Sequence, residues 1–474
     1  MTTDLRCEIL MNVGRYETRV ALIENGVLQE IHLERLSKKE LVGNIYKGKI
    51  GRIVPGMKAA FVDIGLEKAG FLHLSEHFPV KEGAEILVQV MKDPLGTKGA
   101  RLTQQISIVS RYLVYMPGQL QIGLSTRIED EVERQRLKTL LEKMIQTDQV
   151  GLVVRTAAEG VLFESLEKEY EFLNKLWQAI QKNAKKIKPK NRVYEDLSIG
   201  KKVIRDWVNA SVEKIRVDDA VMFEDLQNFS KQFVPEAFEK LELTKSKAPI
   251  FERYGVEEEL QRNLLRRVNL KSGGYLVIDQ TEAMTTIDVN SGSFVGAPSH
   301  DETICKTNFE AAQMIARQLR LRNIGGIVVI DFIDMAQEEQ RAQVLHIFHK
   351  ALLQDHSRIK VSGFTEFGLV QLTRKRTHES LLRELCEPCL ECSGRGMIKT
   401  VETLVYEIYR DLQREVLAFK PESGFLVCLS NCVYNGLMEE DPSLLAELES
   451  SLGLVIQLKS VPQYTREQYD IVPF

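Results

Sequence analysis

The sequence predicts a multidomain protein of mixed α/β and α+β class, and three observations lead there. The chain has 474 residues, more than one hydrophobic core sustains, so at about 150 residues per domain three or more folding units are expected. Its composition, 44% hydrophobic and 27% charged, supplies apolar residues for several cores and excludes wholesale disorder. Strand-like and helical runs interleave along its length, and one early stretch is broken by regularly spaced glycines.

Taken in order, Cys7 to Leu33 carries the alternating runs EILMNV and TRVALI, then the Asn25-Gly26 turn and VLQEIHL, a meander of three antiparallel strands. From Gly43, NIYKGKIGRIVPGMKAAFVDIGLEKAGFLHLSE has short strands punctuated at Gly48, Gly51, Gly56, Gly65 and Gly70, the texture of a small barrel. Glu129 to Met144 has helical spacing, GLVVRTA is strand-like, and Phe163 to Lys186 is a charged amphipathic helix. The lysine-rich AKKIKPKNR reads as a solvated connection with a boundary near residue 195, and helical pattern resumes from Ile199 through Arg216. A helix over EEELQRNLLRRV from Glu257 leads to SGGYLVIDQTEAMTTIDVNSG, a strand, turn and strand. The helix TNFEAAQMIARQLRLRN, a buried strand GGIVVIDFID, the helix EEQRAQVLHIFHKALLQD and the strand GLVQLTRKR then complete an α/β sandwich pattern. A cysteine-rich run follows, and Thr400 to Phe474 supplies a helix and a small α/β end-piece.

The N-terminus, MTTDLRCEILMNVG, lacks the basic start and apolar stretch of a signal peptide, and no later apolar run approaches about 18 residues. A cytoplasmic protein with no membrane span is expected. Three of the seven cysteines, Cys386, Cys389 and Cys392, crowd together, which favours metal binding or free thiols over disulfides. With 63 basic against 67 acidic residues, nucleic acid must be bound by local basic patches rather than by a global field.

Four groups of residues carry candidate chemistry. In TTIDVN, Asp288 and Asn290 stand two apart on a strand and share a face, where the amide can orient a carboxylate. Asp331 ends an apolar strand most simply placed at the sheet centre, and two strand-end carboxylates can converge on Mg2+. From pattern alone, strand or helix capping is an equal reading, and Asp334 is a rival ligand. Phe61 and Phe71, with Lys47, Lys49 and Lys98 near them in sequence, match the aromatic and cationic mixture that holds single-stranded nucleic acid on an OB-fold, although two isolated Phe are more often core. Arg155 and Thr156 set a fork donor beside a hydroxyl where a strand becomes a turn, suited to a terminal phosphate. Taken alone, such a pair is usually only surface. In the Cys386–Gly396 run, one C-x-x-C pair can bite a zinc ion, which needs four ligands. Either Cys386 and a remote group such as His378, Cys428 or Cys432 complete the set, or a second chain brings its own pair.

Together TTIDVN, ARQLRLRNIGGIVVIDFIDM, GNIYKGKIGRIVPGMKAAFVDIG and C-x-x-C-S-G-R-G resemble the ribonuclease E/G family over essentially the whole chain, in the form without a long disordered C-terminal extension. The resemblance implies an RNase H-like domain split between residues 1–39 and 196–262. An OB-fold RNA-binding barrel (40–104) and a 5′-sensor (105–195) are inserted in it. A DNase I-like catalytic domain (263–384), a zinc link (385–399) and a small C-terminal domain (400–474) follow. It implies that Asp288 and Asp331 bind catalytic Mg2+ with Asn290 in support, that Phe61, Phe71 and Lys98 engage RNA, and that Arg155 and Thr156, with Val114 and Arg358, sense a 5′-monophosphate. The implied activity is endonucleolytic cleavage of single-stranded, often A/U-rich RNA to 5′-phosphate and 3′-hydroxyl ends, in ribosomal RNA 5′-end maturation and mRNA decay. Cys389 and Cys392 match a pair that holds structural Zn2+ shared between two subunits, implying a homodimer and leaving open its pairing into a tetramer. Leu390 where many relatives have proline, the extra thiol of Cys386, and a short Ser75–Ile86 loop depart from the pattern. The competing reading is a non-catalytic RNA-binding scaffold with a zinc-linked dimer.

Overall fold

The computed structural model describes residues 6–74, 81–94, 98–145, 150–246, 248–292, 300–376, 378–419, 423–439 and 442–474. The short Ser75–Ile86 loop thus falls in part outside the described residues. The chain forms two compact units, Met1–Leu381 and Leu382–Phe474.

In the first unit the strands Cys7–Val13, Glu17–Glu24 and Val27–Arg35 form an antiparallel meander. Asn25 and Gly26 both take positive φ, 50° and 79°, the conformation a two-residue hairpin turn needs to follow strand twist. This sheet is completed from far along the chain: Val212–Val217 pairs parallel with Cys7–Val13, and Leu241–Leu243 pairs parallel with it in turn. The helix expected through Arg216 therefore stops early, at Trp207. In Val212–Val217 every apolar side chain, Val212, Ile215 and Val217, is buried, and pairing with the first strand outweighs local helical spacing.

Five strands, Ile45–Val54, Ala59–Asp63, Gly70–His73, Arg101–Thr103 and Glu85–Lys92, pair in that order and close back on Ile45–Val54. This is a closed five-stranded barrel around Ile50, Val62, Leu72, Val88 and Leu102. Asn191–Tyr194 adds to its Ile45–Val54 strand from outside. Between barrel and returning strand, a four-stranded sheet centred on Leu113–Pro117 and Val150–Val154 packs on the helices Glu131–Met144 and Phe163–Lys186.

The last part of this unit is a six-stranded mixed sheet in the order Arg267–Asn269, Tyr275–Gln280, Met284–Asn290, Gly326–Asp331, Leu369–Arg374, Ile359–Phe364. Three details differ from the sequence reading. The helix expected from Glu257 ends at Arg262, and Arg267–Asn269 is an edge strand instead. Ile359–Phe364 is an additional strand, irregular in its pairing and hence weak in its alternation. Gly326–Asp331 is not buried on both faces: Val328 and Ile330 meet the helices His300–Leu321 and Glu338–Leu352, while Ile327 (48% exposed) and Asp331 look the other way. A central strand with one face against helices is amphipathic in space although apolar in sequence.

The helix His300–Leu321 also ties this sheet to the N-terminal meander. Arg317 donates Nε and Nη2 to the Leu28 carbonyl and Nη2 to Glu259 at 2.6 Å. One turn on, Arg320 is buried between Glu24 and Glu30, at 3.0 and 2.8 Å.

The second unit packs the helices Val401–Phe419 and Asn431–Glu439 on a three-stranded sheet through Leu404, Leu412, Phe425 and Val427. Among the described residues no helix is long and apolar enough to cross a membrane.

Candidate functional site

The open face of the six-stranded sheet carries the acidic site. Met284–Asn290 alternates strictly, with Thr285, Ile287 and Val289 buried and Thr286 and Asp288 exposed. It pairs parallel with Gly326–Asp331 in a register that sets Asp288 opposite Asp331. Neighbouring strands lie about 4.8 Å apart, so both carboxylates stand side by side on the same solvent-facing surface. The Asn290 amide, on that face, donates Nδ2–H to Asp288 Oδ2 at 2.8 Å. Partial burial, then the charges of Asp288 and Asp334, push the Asp331 carboxyl above its ordinary range. Asp334 is thus close enough to be felt electrostatically, but it lies in the loop beyond the strand. Paired oxygen donors with one orientation held by an amide suit a hard cation such as Mg2+, which takes one or two carboxylates and completes its shell with water and phosphate oxygens. Among the described residues no group of three or more His, Cys, Asp or Glu could hold a metal ion.

A residue that sequence reasoning missed holds the loop after Asp331. Asn308, fully buried on the helix His300–Leu321, donates Nδ2–H to the Ile333 carbonyl at 2.8 Å and accepts from the Ile333 amide at 3.1 Å. A primary amide replaces a peptide partner there on both sides. An asparagine inside a helix has no periodic signal of its own; its only mark is sitting on the apolar face next to Ala311 and Ala312.

The barrel presents the second set. Phe61 and Phe71 are directly opposite in paired strands, with ring centroids 6.1 Å apart in an edge arrangement. Phe61 is 39% exposed while its strand neighbours Ala60 and Val62 fill the barrel. Neither ring belongs to the barrel core, because the pleat alternates sides along each strand and sends Ala60, Val62 and Leu72 inward instead. Phe71 is in register with the exposed Arg101, extending the aromatic pair by a cation that sequence spacing did not reveal. Lys98 is exposed, and Gly99 beside it runs so close to Ala69 that a Cβ would lie 1.9 Å from the Ala69 oxygen, which carries Lys98 alongside the Phe71 strand.

Arg155 is more constrained than a surface arginine. It donates Nη1–H to the Ser110 carbonyl at 2.7 Å and pairs through Nη2 with Asp206 at 2.7 Å. Asp206 is also paired with Arg205 at 2.7 Å; burial would raise its carboxyl, but Arg205 and then Arg155 hold it below its ordinary range. The neighbouring Thr156 hydroxyl bonds to that of Ser125 at 3.1 Å. Arg127, two residues from Ser125, donates to the His356 carbonyl. That contact brings the turn bearing the exposed Arg358 toward the Ser125–Thr156 loops, while Val114 is half-buried opposite Val153.

In the second unit, Gly394 and Gly396 take φ of 84° and 78°, a turn that side chains resist. Gly396 donates its N–H to Cys392 Sγ at 3.4 Å. That N–H, then Gly394's, lowers the Cys392 thiol from its ordinary value, with Cys389 adding to the effect. Thiolate is the form that binds zinc, so the Cys389–Cys392 pair fits half of a zinc site. Cys386 does not extend it to a group of three able to hold a metal. His378 is engaged elsewhere, facing Glu40 at 3.6 Å and packed edge-on to His32. The turn is anchored by Glu467, which accepts from Arg395 and the Lys399 amide at 2.6 and 2.8 Å.

Comparison with known proteins gives a consistent picture. A model described as the Ribonuclease E/G family matches residues 107–377. Ribonuclease G of Salmonella typhimurium (strain SL1344) is 47% identical over 489 aligned positions, covering 99% of this chain and all of that protein. Ribonuclease G of Haemophilus influenzae is likewise 47% identical, covering 98% and 99% of the two chains. Ribonuclease E of Haemophilus influenzae is 37% identical over 85% of this chain and 45% of its own length.

Proposed function

This chain belongs to the ribonuclease E/G family and is an endoribonuclease, and from that premise we propose that it cuts single-stranded RNA with Mg2+ held at Asp288 and Asp331. The observation that carries the proposal is the register of the two strands, which leaves two carboxylates adjacent on an open face. When bound, Mg2+ supplies a Lewis acid for the phosphodiester and lowers the pKa of a coordinated water. The chain's part is positional. Asp288 and Asp331 offer the anionic oxygens, Asn290 fixes the Asp288 carboxylate so that the other oxygen stays free, and Asn308 holds the backbone after Asp331. Domain boundaries as expected from the sequence, with the barrel as OB-fold RNA platform, the residue 105–195 module as 5′-sensor, and RNase H-like and DNase I-like subdomains on either side, are part of this reading.

In it, Phe61 and Phe71 stack bases and Lys98 meets the backbone. Arg155 and Thr156, with Val114 and Arg358, receive a 5′-monophosphate, and the Asp206 pair keeps the Arg155 fork aimed. Cys389 and Cys392 hold Zn2+ with the same pair of a second chain, giving a homodimer. Precursor ribosomal RNA and mRNA in the cytoplasm are the substrates. A defined 5′-monophosphorylated RNA, incubated with EDTA and then with Mg2+ restored, tests the reading. Cleavage only after Mg2+ addition, leaving 5′-phosphate and 3′-hydroxyl ends, is expected; an intact transcript in every tube points instead to a non-catalytic scaffold.

A further inference from the structure

Phe367 has no role in the chemistry above, yet it is the most exposed aromatic ring among the described residues, at 86%. It sits at the tip of the hairpin between Ile359–Phe364 and Leu369–Arg374. The tip is a tight turn, not a loose loop. Gly368 N–H donates to the Thr365 carbonyl at 3.0 Å, Thr365 N–H to the Leu369 carbonyl at 2.8 Å, and Leu369 N–H to Thr365 Oγ1 at 3.1 Å. Gly368 has φ of 77°, which lets the chain reverse without strain. The other aromatic of this hairpin, Phe364, is partly buried and packs against Phe332, with centroids 6.0 Å apart.

The position of this ring is what gives it meaning. Leu369 is in direct register with Asp331, so Phe367 stands two residues before Leu369, in the turn that enters the strand neighbouring the one that carries Asp331. Gly368 is close to the third carboxylate: a Cβ on it would lie 3.7 Å from Asp334 Oδ1. A solvated aromatic on a hydrogen-bonded turn, next to the strand that carries Asp331 and beside Asp334, is placed to meet a nucleotide whose phosphate the carboxylates face. Every base has a π-face, and aromatic stacking holds single-stranded RNA without sequence readout.

We propose that Phe367 stacks on an unpaired base flanking the scissile phosphate, and so fixes which phosphate reaches Asp288 and Asp331. The inference rests on the endoribonuclease reading of that site and adds a substrate-positioning residue to it. It also implies that the cut falls where a base is free to leave its neighbours, so that a paired nucleotide at this position is a poor substrate.

The test compares the full-length protein with Phe367→Ala, Phe367→Leu and Phe367→Trp on one defined RNA. Stacking predicts a KM raised on the order of 10-fold in the alanine and leucine variants, with cuts spread over neighbouring phosphates, and near-parent behaviour for tryptophan. With 2-aminopurine placed beside the cut site and EDTA present to prevent cleavage, the parent and the tryptophan variant quench its fluorescence and the alanine variant does not. Equal quenching by all four proteins, or a leucine variant with parental KM and cut position, overturns the proposal. So does a changed oligomer mass in the alanine variant with unchanged kinetics, which would assign the ring to a contact between copies of the chain. Failure of the parent itself to cleave with Mg2+ strikes the underlying reading instead and takes this inference with it.

Discussion

Arg320→Met removes a guanidinium shared by two buried carboxylates, and the geometry sets the size of the loss. The Arg320 side chain is 4% exposed, against 10% for Glu24 and 12% for Glu30. It donates to Glu30 Oε1 through Nε and Nη2 at 3.0 and 2.8 Å and to Glu24 Oε1 through Nη2 at 3.0 Å. Methionine replaces much of the alkyl stem, so the cavity is small and the stranded charge dominates, a cost of about 3–5 kcal/mol. Adding Glu24→Gln and Glu30→Gln should recover most of it, since no buried charge is left. The pH dependence has a definite sign. Burial alone would raise the Glu30 carboxyl, but the neighbouring His32 imidazole, 3.8 Å away, and then Arg320 bring it down from about 4.5 to about 2. Its stabilising contribution is therefore complete above about pH 4.5 and is lost as pH falls toward 2. The gap between parent and Arg320→Met should accordingly be widest near neutrality and narrow in acid. Trp207, whose ring lies 5.0 Å from His32, reports on this junction, so urea unfolding followed by tryptophan fluorescence is the assay. A single variant within about 0.5 kcal/mol of the parent, inside the range of an ordinary surface change, or a triple variant as unstable as the single one, refutes the charge argument.

Other expectations follow from the remaining sites. Phe61→Ala and Phe71→Ala should each weaken binding of single-stranded RNA by about 1–3 kcal/mol with the fold intact, as read by fluorescence anisotropy and circular dichroism; parental affinity in both removes the barrel face from the RNA path. Arg155→Gln should erase the preference for 5′-monophosphorylated over 5′-hydroxyl RNA in competitive cleavage, whereas Asp206→Asn, which loosens the Arg155 fork and also weakens the pairing with buried Arg205, should weaken it partially; an unchanged ratio in Arg155→Gln removes it from the sensor. Cys389→Ser with Cys392→Ser should abolish zinc in elemental analysis and lower the mass on a sizing column, and full zinc content would place the metal elsewhere.

Much of the acidic site is legible in the sequence because its logic is local. Asp288 and Asn290 share a face through the period of two, and the apolar run before Asp331 marks an interior strand. What no local pattern contains is the register that sets one aspartate against the other, which depends on a helix of 22 residues crossing between the strands. The same limit explains Val212–Val217: its strand character comes from Cys7–Val13, about 200 residues away. Asn308, Arg317 and Arg320 look like ordinary polar positions on a helix until their partners at Ile333, Leu28 and Glu30 arrive from other elements. Phe61 and Phe71 show the converse. Their residue type suggests a core, and only the closed barrel, with Ala60 and Val62 inside, turns the rings outward. The exposed Phe367 lies in a segment with weak alternation, so nothing in the sequence distinguishes it from its partly buried neighbour Phe364.

The most direct test of the central claim is the cleavage rate of a defined RNA across a Mg2+ titration, measured for the parent, Asp288→Asn and Asp331→Asn. Each substitution keeps the shape and removes one anionic donor, so each should lower the saturating rate by more than about 100-fold, beyond what loss of an outer-shell partner produces, while RNA binding persists on the barrel. Parental rates from either variant at the same Mg2+ concentration would show that these two carboxylates do not hold the catalytic ion.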